Sequence, residues 1–302
     1  MGHTRRDFLK TAIVMGVASH LPAIAAPSPV HEVVLPGTKE SVLRVGLGTF
    51  RVFDVGNDAN KRTELKKVLK AFHAAGGRLI DTSPMYGSAE KVLGELSTEL
   101  GLNDKFVVAT KVWTHGAKEG RQQIDASFKL IKRQKLDLFQ IHNLMDWQTQ
   151  LKTLRKLRDE GKIKYIGITH YMPSAFAELA QVLKTEKMDF LQIPYSLQET
   201  SAERELLGVA AEHDVKVIAN EPFGQGELFR RMGDQKLPPW AKDYEIETWA
   251  QLFLKFILSE PRVHFAIPGT GRLRHVEDNL RAARGPLPEA KDRAKFRALL
   301  KI

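Results

Sequence analysis

Four residues of this chain have the types and the spacing for a single piece of chemistry. Asp81 follows the apolar residues of the run Arg78–Ser83, Lys111 closes Lys105–Lys111, His142 closes Leu136–His142, and Tyr86 follows Asp81 by five residues. A phenol with a pKa of about 10 is a reluctant proton donor at neutral pH. A neighbouring ammonium stabilises the phenolate and lowers that pKa, while a carboxylate paired with the lysine keeps it charged and in place. An imidazole across the pocket fixes a substrate oxygen by a hydrogen bond. Such a set gives a proton to a carbonyl oxygen while something else attacks the carbon. Singly, each residue has a structural explanation: a helix-capping Asp, a surface Lys, a satisfied core His. The chain has no cysteine and no serine elbow, Walker loop or HExxH helix, so the expected attacking group is hydride from a bound cofactor and no metal is expected.

Side chains from three different runs meet only if the runs are strands of one sheet that end at one edge. Eight β-branched or aromatic runs recur: Arg44–Thr49, Arg78–Ser83, Lys105–Lys111, Leu136–His142, Lys164–Thr169, Asp189–Pro194, Val215–Ala219 and Val263–Pro268. Amphipathic stretches such as Glu64–Phe72 lie between them, and six of the seven intervals between run starts span 25 to 34 residues, the repeat of a strand plus a crossover helix. Eight such units predict an α/β fold, a (β/α)8 TIM barrel, with function at the C-terminal ends of the strands. The long interval from Val215 to Val263 holds Leu237-Pro-Pro-Trp240 and reads as a loop inserted over one mouth. A Rossmann fingerprint fails at Gly46-Leu-Gly-Thr-Phe-Arg51, where Arg51 stands in the place of the third glycine.

Composition bounds the alternatives. The 302 residues are 43% hydrophobic and 27% charged, which excludes a disordered chain, a collagen-like fibre and a multispanning membrane protein. The absence of cysteine excludes disulfides, thiolate catalysis and Cys-built metal sites. The net charge of +10 is concentrated in residues 272–302, with nine Lys/Arg against four acids, but no aromatic residues interleave with a basic stripe. Nucleic acid is therefore not an expected partner, and solvated helix faces plus an anionic small-molecule site account for the excess. At the N-terminus, Arg5-Arg6, Phe8-Leu9, the apolar run Thr11–Ser19 and Ala23-Ile24-Ala25 resemble a twin-arginine export signal over residues 1–25. Residues 26–302 then form one barrel domain, exported to the periplasm by the twin-arginine machinery, with no membrane insertion after cleavage.

Several segments resemble signature blocks of the aldo-keto reductases. They are Asp81-Thr-Ser-Pro-Met-Tyr-Gly-Ser-Ala-Glu90 with Lys91–Glu95, Ala109-Thr-Lys-Val-Trp113, Asp137–His142, Lys164–Thr169 and Ala266–Thr270 through Glu277-Asp-Asn279. The resemblance runs from about Val42 to Arg284. It implies an (α/β)8 barrel that reduces an aldehyde or ketone to an alcohol with NADP(H), NAD(H) being the other nicotinamide it admits. It implies Tyr86 as general acid, Lys111 lowering its pKa, Asp81 holding Lys111 and His142 orienting the carbonyl. The cofactor-binding set it implies is Gly48, Thr49, Phe50 and Asp81 at the nicotinamide end; Thr169, His170, Gln192 and Asn220 near the ring and carboxamide; Phe223, Gly224, Gln225 and Gly226 across the pyrophosphate; and Gly269, Thr270, Gly271, Arg272, His275, Asp278 and Asn279 around the adenosine and its 2′-phosphate. Phe50 and Trp113 would wall the substrate pocket, and the family's default state is a monomer.

Two positions depart from the family's pattern: Asn220 stands where a ring-stacking tyrosine is usual, and Gly269 where a lysine is usual, leaving Arg272 as the local cation. A second reading therefore stays open, in which an exported barrel binds a nucleotide or ligand as a sensor or assembly subunit without turnover.

Overall fold

All eight apolar runs become strands of one parallel ring in the computed structural model, which describes residues 28–301. The export signal expected over 1–25 lies outside the described residues. An antiparallel hairpin that the sequence reading does not include, β1 (Glu32–Val34) with β2 (Ser41–Leu43), precedes the ring. The ring strands are β3 (Leu47–Gly48), β4 (Leu79–Asp81), β5 (Val107–Val112), β6 (Leu136–His142), β7 (Ile163–Thr169), β8 (Phe190–Pro194), β9 (Lys216–Asn220) and β10 (Phe265–Ala266), paired in chain order. The ring closes between its first and last members, where Gly46 N donates to Ala266 O at 2.8 Å and Gly48 N to Pro268 O at 3.1 Å. Glycine permits this approach: a Cβ at Gly46 would stand 2.8 Å from the Leu79 carbonyl oxygen, and one at Gly48 2.8 Å from that of Ile267.

Helices cover the outside of the ring: α1 (Ala59–Ala74), α2 (Ala89–Glu99), α3 (Ala117–Ile131), α4 (Trp147–Asp159), α5 (Phe176–Thr185), α6 (Leu206–Glu212), α7 (Glu227–Met232), α8 (Trp249–Leu258), α9 (Leu273–Arg281) and α10 (Arg293–Ala298). In α1, Asp58 caps the first turn by accepting from Lys61 N at 3.0 Å, and Leu65, Val68, Leu69 and Phe72 form the buried stripe. The longer helices around the ring bury a comparable stripe, which yields a large core between strands and helices. A second, smaller core fills the barrel.

The inside of the barrel explains where chemistry can sit. Alternate residues of each strand face inward. At the lower level these are Leu79, Val107, Leu138, Tyr165, Phe190, Ile218 and Phe265, which pack with Leu35 and Val42 of the hairpin region and close the bottom. One or two steps further along the same strands the inward residues are Asp81, Lys111, Gln140, His142, Thr169, Gln192 and Asn220. The barrel is thus apolar at its base and polar at its mouth.

The insertion differs from expectation. Between β9 and α8, residues Phe223–Phe229 reach the mouth, whereas Trp240 packs on Phe296 of α10 (ring centroids 4.7 Å apart) and on Tyr244. The Pro238-Pro239-Trp240 segment therefore braces the C-terminal helix instead of covering the mouth, because its large apolar ring finds a ready-made aromatic cluster there.

Candidate active site

Lys111 follows Val107 and Ala109 on the inward face of β5 and is fully buried. Its Nζ donates to Asp81 Oδ1 at 2.7 Å, to Asp81 Oδ2 at 2.8 Å and to the Thr82 carbonyl oxygen at 2.8 Å, so three acceptors face its three hydrogens. Burial works against its charge, but Asp81 and Tyr86 outweigh that and hold the ammonium above its ordinary pKa. Burial likewise pushes the Asp81 carboxyl up, opposed by Lys111. Charge on both partners is the state that the two-oxygen geometry favours.

Tyr86 is delivered by the loop from Thr82 to Ser88, whose turn is fixed by Tyr86 N donating to Ser83 O at 3.0 Å. Asp54 pins the far end, accepting from Ser88 N (2.9 Å) and Ser88 Oγ (2.8 Å). Gly87, at φ +59°, sits against that carboxylate, with which a Cβ would collide. The Tyr86 ring stands with its centroid 5.0 Å from Lys111 Nζ. Lys111 acts on the phenol in the expected lowering direction, but burial is the larger influence and leaves the pKa raised above its ordinary value. The cause is desolvation, since a phenolate at the barrel mouth loses more hydration than one ammonium replaces.

His142 meets Tyr86 edge-on, with centroids 6.2 Å apart, and Trp113 lies 6.5 Å from the same imidazole. Burial, with the Lys111 ammonium and the His170 imidazole acting in the same direction, lowers its pKa to about 3, so the ring is neutral. Ser83 Oγ lies 3.2 Å from Nδ1 and also accepts from Met85 N at 3.3 Å. With Ser83 as donor to Nδ1, the ring hydrogen resides on Nε2. Beneath these groups an amide layer completes the floor: Gln140 Nε2 lies 2.8 Å from Gln192 Oε1 and 3.4 Å from Asp81 Oδ1.

These groups face one cavity of about 660 Å³. Of the residues singled out in the sequence, Gly48, Phe50, Asp81, Tyr86, Trp113, His142, Thr169, Gln192, Asn220, Phe223, Gln225, Gly226 and Gly269 line it. Lys111 lies below it, and Thr49 is buried behind it. His170 turns aside, its Nδ1 accepting from Met172 N at 3.1 Å and its ring stacked on Tyr171. Gly224, Thr270, Gly271, Arg272, His275, Asp278 and Asn279 do not line the cavity. Among them Arg272 and His275 are exposed at the start of α9, and the Asp278 carboxylate is taken up by Thr248 Oγ1 (2.9 Å) and Gln251 Nε2 (2.7 Å). Lining residues that the sequence reading omitted are Arg51, Met85, Asn143, Tyr171, Glu221, Pro222, Phe229 and Ile267. Gln140 was omitted as well, although its place two residues before His142 puts it on the same inward face.

A nicotinamide cofactor fits this lining. Asn143 and Asn220 both border the cavity, and each has a buried side-chain oxygen with no partner. A bound group bearing N–H donors would satisfy such atoms, and the apolar walls Phe50, Trp113 and Phe223 suit a planar ring.

Comparison with known proteins agrees with this geometry. A family model described as "Aldo/keto reductase family" matches residues 44–299. Methylglyoxal reductase YeaE of Escherichia coli is 29% identical over 247 residues, covering 79% of this chain and 84% of that protein. An NADH-specific methylglyoxal reductase of the same organism is 25% identical over 257 residues, covering 73% and 76%. Among solved structures, an aldo-keto reductase from Klebsiella pneumoniae in complex with NADPH superposes with a TM-score of 0.75 at 26% identity, covering 90% of this chain and 95% of that one.

Proposed function

The chain belongs to the aldo/keto reductase family, and from that premise we propose that it reduces an aldehyde or ketone to the alcohol with NADP(H), Tyr86 giving the proton. The observation that carries the assignment is the convergence on one cavity of a fully buried Lys111–Asp81 pair, the Tyr86 phenol above it and a neutral His142 beside it.

Bound NADPH supplies the hydride. The chain's own residues do the rest. His142 offers Nε2–H to the carbonyl oxygen and fixes its direction. In the resting site the raised pKa keeps Tyr86 protonated, so the donor is loaded. As negative charge grows on the oxygen, Tyr86 releases its proton, and the Lys111 ammonium, kept charged by Asp81, stabilises the phenolate that remains. Phe50 and Trp113 border the cavity and would wall the reacting carbon. Thr169, Gln192 and Asn220 would hold the nicotinamide end, the Phe223–Gly226 loop the pyrophosphate, and Arg272 with His275 the adenosine phosphate.

The deciding experiment is titration of residues 26–302 with NADPH and with NADH, followed by consumption assays against a carbonyl panel. Two relatives carry methylglyoxal reduction in their names, which makes methylglyoxal the first compound to assay. Tyr86→Phe is expected to abolish turnover, by about 10³-fold or more, with the affinity for NADPH nearly unchanged. Turnover retained in that variant would mean another group protonates the oxygen.

We further propose that the chain is exported folded, as a monomer, through the twin-arginine pathway, on the pattern of residues 1–25. Replacing Arg5 and Arg6 by lysine should retain it in the cytoplasm, and an unchanged periplasmic fraction would sink this reading.

A further inference from the structure

We propose that Gln140 is a positioning residue that sets the polarity of the Gln192 amide from the Asp81 carboxylate, so that Gln192 presents an N–H donor to the cavity. The proposal rests on the cofactor reading above.

Gln140 is wholly buried, on the inward face of β6. Its partner Gln192 belongs to β8, two strands away, with β7 between them. The β7 residue in register with Gln140 is Gly167. A Cβ there would lie 3.1 Å from Gln140 Cγ, so the missing side chain leaves the path by which Gln140 crosses β7. The two ends of an amide have the same shape, and chemistry decides between them. Asp81, as a carboxylate, has only lone pairs to offer, so the end of Gln140 that faces it must be the NH₂. That same nitrogen is 2.8 Å from Gln192, which must therefore turn its oxygen toward Gln140. The Gln192 NH₂ then points away from Gln140 and itself hydrogen-bonds Asp81, and Gln192 borders the cavity. Gln140 Oε1 is left buried without a partner, an unfavourable state that the arrangement tolerates. Polarity is thus imposed by Asp81 both directly and through Gln140, which holds the Gln192 oxygen and leaves the second Gln192 N–H free; the ligand group it selects beside Gln192 is a hydrogen-bond acceptor, such as the amide oxygen of a nicotinamide.

The test measures NADPH affinity by tryptophan fluorescence for the wild-type chain, Gln140→Met, Gln192→Met, the double variant and Gln140→Glu. Gln140→Met should weaken binding about tenfold, and the double variant should be no weaker than Gln192→Met alone, because Gln140 acts through Gln192. In Gln140→Glu the neutral acid still donates an O–H, whereas the ionised acid has no donor and faces a second carboxylate. Its NADPH affinity relative to wild type, pH by pH, should therefore fall as pH rises. A merely structural Gln140 would give additive losses and a pH-independent ratio, and either result overturns the proposal. A wild-type chain that binds no NADPH would remove the cofactor reading and this inference together, whereas normal binding in wild type and Gln140→Met alike would remove only the inference.

Discussion

Two of the buried charged clusters among the described residues are built differently. Behind the end of β8, Tyr195 donates to Glu203 Oε1 at 2.5 Å, and Arg293 Nη2 donates to both (2.6 and 2.8 Å). Arg293 Nη1 reaches Phe256 O (2.8 Å) and Ser259 Oγ (2.6 Å), and Arg297 Nη2 adds two contacts to Glu203. The cluster ties α10 back to the barrel, and the only polar side-chain atom of these residues identified as buried without a partner is Arg297 Nε. At the mouth, the Asp81–Lys111 pair is more deeply buried than Glu203 and its arginines, yet Gln140 Oε1, Asn143 Oδ1, Asn220 Oδ1, Thr49 Oγ1 and Thr82 Oγ1 are all left without partners. Burial of charge therefore does not mark a site by itself. Unpartnered oxygens on residues that also line the cavity, those of Asn143 and Asn220, are what the brace lacks, whereas Glu90 Oε2, Ser127 Oγ and Gln150 Oε1 lie unpartnered away from it, so an unpaired atom alone is no marker either.

The sharpest break of this comparison removes one cation from each cluster. Lys111→Met leaves Asp81 buried and unpaired, which should cost about 3–5 kcal/mol of stability and lower kcat at least a hundredfold. Adding Asp81→Asn should recover part of the stability and none of the rate. Arg293→Met should also destabilise, since Glu203 loses a partner, but kcat and KM should stay as in wild type. Denaturant melts paired with steady-state assays on the four proteins check this, and a rate loss in Arg293→Met would erase the distinction between the clusters.

Much of this division was legible in the sequence. Each ring strand announced itself as a short β-branched run at a regular interval, and a parallel barrel requires its polar residues where those runs end. Asp81, Lys111 and His142 could be read from that rule alone. Gln140 obeys the same rule but lies one inward step earlier, where apolar residues are expected, and its partner is two strands away. No local pattern signals that Gly167 clears the path. The hairpin β1–β2 escaped because three-residue strands carry no periodicity. Arg51, Tyr171 and Phe229 sit on loops whose direction is set by tertiary packing, as is the path of Trp240. The raised pKa of Tyr86 depends on desolvation, which spacing does not report.

Acid should separate the two clusters by pH window. His142 has an ordinary pKa of 6.5 and a folded value of about 3, so its contribution is fully present above 6.5 and is lost as pH falls toward 3. Burial pushes Glu203 up, but Tyr195, Arg297 and Arg293 outweigh it and hold the carboxyl below its usual 4.5, so its contribution disappears only at lower pH. Unfolding free energies of wild type between pH 7 and 4 should fall by up to about 1.4 kcal/mol per pH unit for each such histidine. His142→Asn should flatten that slope. His264, with a pKa near 4 and its Nδ1 accepting from Val217 N at 3.0 Å, accounts for a further share, which His264→Asn would remove. An unaltered slope in His142→Asn would show that the mouth does not exclude the proton.

The smallest effect comes from the same chemical edit made in both places. Tyr195→Phe removes one hydroxyl from the clamp, but Glu203 keeps Arg293 and Arg297, and Arg293 keeps Glu203, so no charge is stranded. A loss of about 1 kcal/mol is expected, the net worth of an ordinary hydrogen bond. Acid unfolding should begin at slightly higher pH, because Tyr195 is the largest of the influences holding Glu203 down. Turnover should not change. Tyr86→Phe deletes the same atom at the mouth, where the phenol has its ring on Phe50 and its charge partner below, and little stability should follow it. If the two variants exchanged these outcomes, with rate lost at Tyr195 and stability lost at Tyr86, unsatisfied polar capacity lining the cavity would not be the property that separates a reaction site from a brace in this barrel.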